Sequence, residues 1–222
     1  MSKNAQIESG KACSLADLFC DDNKVVIPDL QRDYCWGKDA WIEKEKRFAD
    51  LVSGFVKCLF DLYLKTSGQG KQTLGVIYGY EEPKDHIQIC DGQQRLTTLF
   101  LLLGYANTRA GYAFSDYLMS KDNEPRLQYA IRESTLYFLS DLTKEFFVDD
   151  ITSLESILSA YRHESGQRFP KWYFSDYDLD GSIQNMLAAL NSINCVAGGK
   201  SFNDWGNFAK FLLHDLQFLY YD

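Results

Sequence analysis

The stretch Ile87-Gln88-Ile89-Cys90-Asp91-Gly92-Gln93-Gln94-Arg95, followed at once by Leu96-Thr97-Thr98-Leu99-Phe100-Leu101-Leu102-Leu103, leaves the chain little conformational choice. Apolar residues alternate at 87 and 89, as on a strand, and then recur at 96, 99, 100 and 103, as on a helix, so Asp91 to Arg95 is a strand-to-helix turn. Asp91 stands where an N-cap is expected, and Gln94, three residues on, is placed to reach back as the second half of a capping box. Gly92 adds no side chain, which lets another group come close to the backbone. A helix start presents unpaired N–H groups and partial positive charge, and this one adds the Arg95 guanidinium and the amides of Gln93 and Gln94. Such a turn is built for an anion, with phosphate the expected guest; the plainer alternative is a capped helix carrying a solvated arginine.

A second polar cluster lies upstream, Ile27-Pro28-Asp29-Leu30-Gln31-Arg32-Asp33-Tyr34-Cys35-Trp36. Val25-Val26-Ile27 predicts a short strand that Pro28 closes, because proline fixes its own φ and offers no ladder donor. Gln31 and Arg32 therefore fall in a loop. Tyr34 and Trp36 supply flat apolar faces with polar tips, suited either to pack against a base or to anchor that loop.

Around these clusters the pattern is that of a globular protein. Of 222 residues 45% are hydrophobic and 15% aromatic, enough for one sizeable domain or a core with an appendage. The net charge of −8 argues against a surface made for duplex DNA, whose phosphates call for a basic patch. No apolar run is long enough for a membrane span or a signal peptide, and cysteines without a C-x-x-C pair read as free thiols in a reducing cytoplasm. Cys90, alternating with Ile87 and Ile89, is expected to be a small buried residue rather than a reactive one. The isolated histidines offer no metal site.

Ser14 to Phe19 predicts a short helix with Ser14 as its cap and Asp17 in its first turn. From Asp39 to about Leu64, Phe48, Leu51, Val52, Phe55, Val56, Leu59 and Leu62 fall on one face and predict a long helix, with Glu43 to Arg47 a solvated charged flank. Leu74 to Tyr80 reads as a strand joined through Glu81 to Asp85 in a hairpin to the strand at 87–90. Gly75 and Gly79 share a face of it, where missing side chains leave room for a ligand or a helix. The character changes near Arg109-Ala110-Gly111. Beyond that point Pro125 predicts a helix running to about Phe147, with further helices at 151–163, 181–193 and 202–214 and a final strand from Leu216 to Tyr221. Ser201 and Asp204 are placed as the cap and first-turn acid of the last helix.

The boxes I-P-x-x-Q-R-x-Y-x-W at 27–36 and D-G-Q-Q-R-L-T-T-L at 91–99 resemble the N-terminal domain family of GmrSD-type restriction endonucleases, with every letter of both present in about the first half of the chain. The resemblance implies an α+β architecture. A small ParB/sulfiredoxin-like mixed sheet with helices at 1–108 forms a nucleotide-binding core, followed by a mostly helical region at 109–222. Without the F-x-x-x-N-x-R-G-type segment with which the family usually continues, that region is expected to be truncated at its C-terminal end. The resemblance further implies binding and hydrolysis of a nucleoside triphosphate in defence against foreign DNA, modified or phage. DNA would be met through the full-length protein or a nuclease domain or subunit, and a homo-oligomer is possible. In this reading Arg95 and the N–H groups from Gly92 to Gln94 hold the phosphates, and Arg32 closes from the opposite side. Gln31, Gln93 or Gln94 would orient water or bond a ribose, Tyr34 would contact the nucleotide, and Asp91 would either hold Mg²⁺ through water or cap the helix. The competing expectation is a ParB-type module that senses nucleotide or binds DNA and hydrolyses nothing.

Overall fold

Alternating burial along two neighbouring stretches, 72–81 and 86–91, sets the centre of the molecule, because residues of one parity face helices and those of the other face away. The computed structural model describes residues 7–20, 23–37, 39–42, 47–66, 68, 70–130, 132–162, 170–198 and 202–222. In chain order these hold β1 (Lys11–Ser14), α1 (Leu15–Leu18), β2 (Lys24–Ile27), β3 (Asp39–Ile42), β4 (Arg47–Asp50) and α2 (Leu51–Thr66). Next come β5 (Gln72–Glu81), β6 (His86–Asp91), α3 (Gln93–Arg109), β7 (Leu127–Tyr129), α4 (Glu133–Leu142) and α5 (Leu154–Tyr161), then α6 (Gly181–Ala197), α7 (Trp205–Lys210) and β8 (Leu216–Tyr221).

The result is a mixed α/β fold on a six-stranded sheet of order β1-β8-β5-β6-β2-β7, with β3 and β4 a separate antiparallel pair. The hairpin expected through 81–85 is present, β5 and β6 running antiparallel. Elsewhere the sheet is mixed: β8 is antiparallel to β1 but parallel to β5, and β2 is parallel to both β6 and β7. The change expected near residue 109 coincides with the end of α3. Strands from beyond it are nonetheless built into the same sheet, β8 near one edge and β7 at the other.

One apolar cluster joins sheet and helices. At its centre is α3, buried from Leu96 to Asn107 on every side, with its polar Thr97, Thr98 and Asn107 each hydrogen-bonded. Phe100 meets Phe19 and Phe147 edge-on, at 5.6 and 6.3 Å between ring centroids. The helix predicted at Ser14 forms, with Ser14 and Asp17 in a full capping box. Within the described residues no helix is long and apolar enough to cross a membrane.

Four expectations need correction. The helix expected from Asp39 begins only at Leu51, after the β3–β4 pair. Asp50 supplies a start by accepting from the Ser53 N–H at 2.9 Å, so the helix is carried no further back. Residues 43–46 of the charged flank lie outside the described residues. Pro125 opens no helix; Leu127–Tyr129 adds to β2 as an edge strand, and the helix begins at Glu133. Cys90 is exposed, since the pleat that buries Ile87 and Ile89 turns it to the other face. In the last helix Asp204 is the N-cap residue rather than a first-turn acid, while Ser201 lies outside the described residues.

Candidate functional site at the start of helix α3

The turn between β6 and α3 is made by glycine. Gly92 occupies the N-cap with φ 103°, a left-handed conformation that costs other residues energy, and no side chain caps the helix. The capping box expected of Asp91 and Gln94 is therefore absent. With Gly92 as the cap, Asp91 becomes the last residue of β6, its carboxylate exposed and a loose 3.8 Å from the Arg95 guanidinium. At that separation and exposure the pair adds little.

Gln93 and Gln94 are buried and turn toward the loop of residues 31–37. The Gln94 Oε1 accepts from the backbone N–H groups of Cys35 (2.8 Å) and Trp36 (3.2 Å), while its Nε2 donates to the Asp33 carbonyl (3.1 Å). Gln93 Nε2 donates to the Arg32 carbonyl at 2.6 Å. An amide carries both a donor and an acceptor, so one glutamine can pair a backbone that no other strand reaches.

From the other side α6 holds the same loop. The Tyr34 N–H donates to Ser182 Oγ at 3.1 Å, and the Asn185 amide donates to the Tyr34 carbonyl at 2.8 Å. Tyr34 itself is wholly buried, its hydroxyl 2.9 Å from that of Thr98, and burial pushes its phenol pKa well up. It anchors the loop and does not line the cleft at the start of α3. Arg132 adds ion pairs to Asp33 (3.2 Å) and Asp180 (3.3 Å).

Arg95 points the opposite way. Its guanidinium donates to the carbonyls of Leu74 (2.7 Å) and Val76 (2.6 Å) on β5 and sits over the Phe218 ring. Gly75, with φ 106°, makes the space: a Cβ there would stand 2.7 Å from Arg95 Nη1. The room expected at Gly75 is thus filled by Arg95, whereas Gly79 lies against the Gln88 carbonyl.

What remains open is a cleft of about 130 Å³ lined by Gln31, Arg32, Trp36, Asp91, Gly92, Gln93 and Gln94. Six of the eight residues singled out from the sequence line it; Tyr34 and Arg95 do not. Trp36 also packs edge-on against Phe55, 5.5 Å between centroids, as an anchor would. Arg32 is exposed, and its side chain has no partner among the described residues. An exposed cation therefore faces the positive end of a helix of 17 residues across a small polar gap, a setting that favours an anionic group. At about 130 Å³ the cleft is smaller than the roughly 300–1,000 Å³ of whole-ligand sites, so it suits one end of a ligand. Among the described residues no group of three or more His, Cys, Asp or Glu is placed to hold a metal. Asp91 alone could join phosphate oxygens in binding Mg²⁺, which commonly takes one or two carboxylates and completes its shell with substrate and water.

Residues that sequence reasoning missed are those that fix the loop. Thr98 carried a local signal, one turn after Gln94 on the same helical face. Ser182, Asn185, Asp180 and Arg132 carried none, because they come from segments at least 95 residues further along the chain.

Fold and site together define a mixed α/β protein in which a glycine-capped strand-to-helix turn faces a loop that carries Arg32. The family model of the GmrSD restriction endonuclease N-terminal domain matches residues 15–221, and the chain belongs to that family. The likeness seen in the first half of the sequence thus extends over nearly all of it. No curated protein matches the chain. Membership of this family suggests a role in a restriction system.

Proposed function

We propose that the chain binds a nucleoside triphosphate at the start of α3 and hydrolyses it, within a restriction system directed at foreign DNA, modified or phage. The observation that supports this best is Arg32, exposed and unpaired among the described residues, lining one cleft with Gly92, Gln93 and Gln94. Phosphoryl transfer asks a protein chiefly for charge neutralisation and a positioned water. Arg32 and the first N–H groups of α3 serve the former, Gln31 the latter, and Asp91 would help to hold Mg²⁺. Gln93 and Gln94 act through the loop they hold, and Arg95 through the strand it braces. DNA would be contacted through the full-length protein or a nuclease domain or subunit, in keeping with the net charge of −8. Assembly into a homo-oligomer belongs to the same proposal.

A second reading, a nucleotide-sensing or DNA-binding module without turnover, draws support from the same cleft. Gln93 and Gln94 are occupied by backbone, and no strong base lines it. Phosphate release from GTP, CTP, UTP and ATP, with and without Mg²⁺, separates the two. Turnover that is lost in Arg32→Ala supports hydrolysis; binding without release leaves the module.

A further inference from the structure

A cleft that admits only the phosphate end of a nucleotide leaves the nucleoside to be accommodated elsewhere. The loop that carries Arg32 leads to a second, larger cleft. Trp36 lines the small one, and the next residue, Gly37, lines a cleft of about 450 Å³, within the range of whole-ligand sites. The same stretch of loop therefore borders both clefts. Gly37 lies directly against the Asn185 backbone, which makes this the point where the loop meets α6.

The second cleft has different chemistry. A stripe of α6 at helical spacing, Gln184, Ala188 and Asn191, forms one wall, with Tyr161 at the end of α5 opposite. Asp50 and Ser192 close it, the Ser192 hydroxyl donating to Asp50 Oδ2 at 2.7 Å. Burial works to raise the Asp50 pKa, but hydrogen bonds from Ser53 and Ser192 outweigh it, so this carboxyl is held below its ordinary value and stays charged. Among the described residues no Lys or Arg lines the cleft; Arg162 reaches its edge only by bonding Asn191 Oδ1 at 2.9 Å. A fixed carboxylate repels phosphate. Gln184 Nε2 donates to the Tyr173 hydroxyl (3.2 Å) and the Tyr177 carbonyl (3.0 Å), and Asn191 Oδ1 accepts from Arg162; the Gln184 Oε1 acceptor and the Asn191 Nδ2 donor, beside a phenol ring, suit an uncharged planar ligand with hydrogen-bonding edges.

We propose that this cleft, walled by Gln184, Asn191 and Tyr161, receives the nucleobase of the triphosphate whose phosphates sit beside Arg32. The inference rests on the reading of the small cleft as a phosphate site. It assigns selectivity to α6 and α5, outside both sequence boxes.

Calorimetric titration of the whole chain with ATP, GTP, CTP and UTP, and in parallel with inorganic tripolyphosphate, tests it. In the unmodified protein at least one nucleotide should bind about tenfold or more tightly than tripolyphosphate, because the base adds contacts. Asn191→Leu and Gln184→Leu, each checked for a native circular dichroism spectrum, should remove that advantage and leave tripolyphosphate affinity unchanged. Arg32→Ala should weaken both ligands. Equal affinity of nucleotide and tripolyphosphate for the unmodified protein overturns the base site, as does a nucleotide preference that survives both α6 variants. Failure of every nucleotide and of tripolyphosphate to bind would instead remove the phosphate site, and the proposed function with it.

Discussion

Replacing Arg95 by alanine should unfold the protein more readily rather than empty a phosphate site. Two charge-assisted hydrogen bonds go with the side chain, those to the carbonyls of Leu74 and Val76, and each such bond contributes about 1.5–3 kcal/mol. The side chain is 23% exposed, so water takes over part of the lost pairing and the lower end applies, about 3 kcal/mol for both. A domain of this size loses about 2–4 °C of melting temperature per kcal/mol, so Arg95→Ala should melt about 6–12 °C below the parent. Arg95→Lys can offer its single ammonium to one carbonyl only and should recover roughly half of that loss. Thermal denaturation followed by far-ultraviolet circular dichroism measures both. An Arg95→Ala protein that melts within about 1 °C of the parent yet no longer binds tripolyphosphate would refute the bracing role and return the guanidinium to the ligand.

Arg32→Ala should do the reverse, lowering tripolyphosphate affinity about ten- to a hundredfold through loss of one charge-assisted contact, with the melting temperature unchanged because the side chain is exposed. Gln94→Ala should cost about 2 kcal/mol and speed amide hydrogen exchange at Cys35 and Trp36, whose N–H groups it would leave to water; Gln94→Glu keeps the acceptor and should lose less. At alkaline pH the protein should lose stability through its buried phenols. Burial, then the bond to Asp204, holds Tyr63 up at about 12, and burial raises Tyr34 and Tyr129 further. An unfolded chain ionises tyrosine near pH 10, so stability is full below about pH 10 and falls as the pH climbs toward the native values. Denaturant midpoints that stay level from pH 9 to 12 would contradict this.

Those parts of the fold whose cause is local could be seen in the sequence. Ser14 with Asp17, the Leu74–Tyr80 and Ile87–Cys90 alternation and the apolar run after Arg95 each contain their own explanation, and each forms. The β7 strand could not be read this way, since Leu127–Tyr129 is a strand only because Val25–Ile27, a hundred residues earlier, offers it an edge. Proline before it pointed to a helix start, and tertiary pairing won. Asp91 looked like a cap by residue type, but Gly92 alone tolerates the φ that the turn from β6 requires.

The convergence of Gln93, Gln94 and Arg95 on one anion fails for a reason that α-helix geometry supplies. Successive residues of a helix point roughly 100° apart, so three in a row cannot aim at one small ligand. Here Gln93 and Gln94 both grip the 31–37 loop, at the Arg32 carbonyl and at the backbone of 33–36, while Arg95 turns away to β5. Partners recur instead at a spacing of four, where side chains share a face: Gln93 and Thr97 both meet Tyr129, while Gln94 and Thr98 both hold the Tyr34 loop. The box at 91–99 is therefore a set of outward grips on three different neighbours. The guanidinium left without a partner among the described residues belongs to the other box, in Arg32, which those grips place at the helix start.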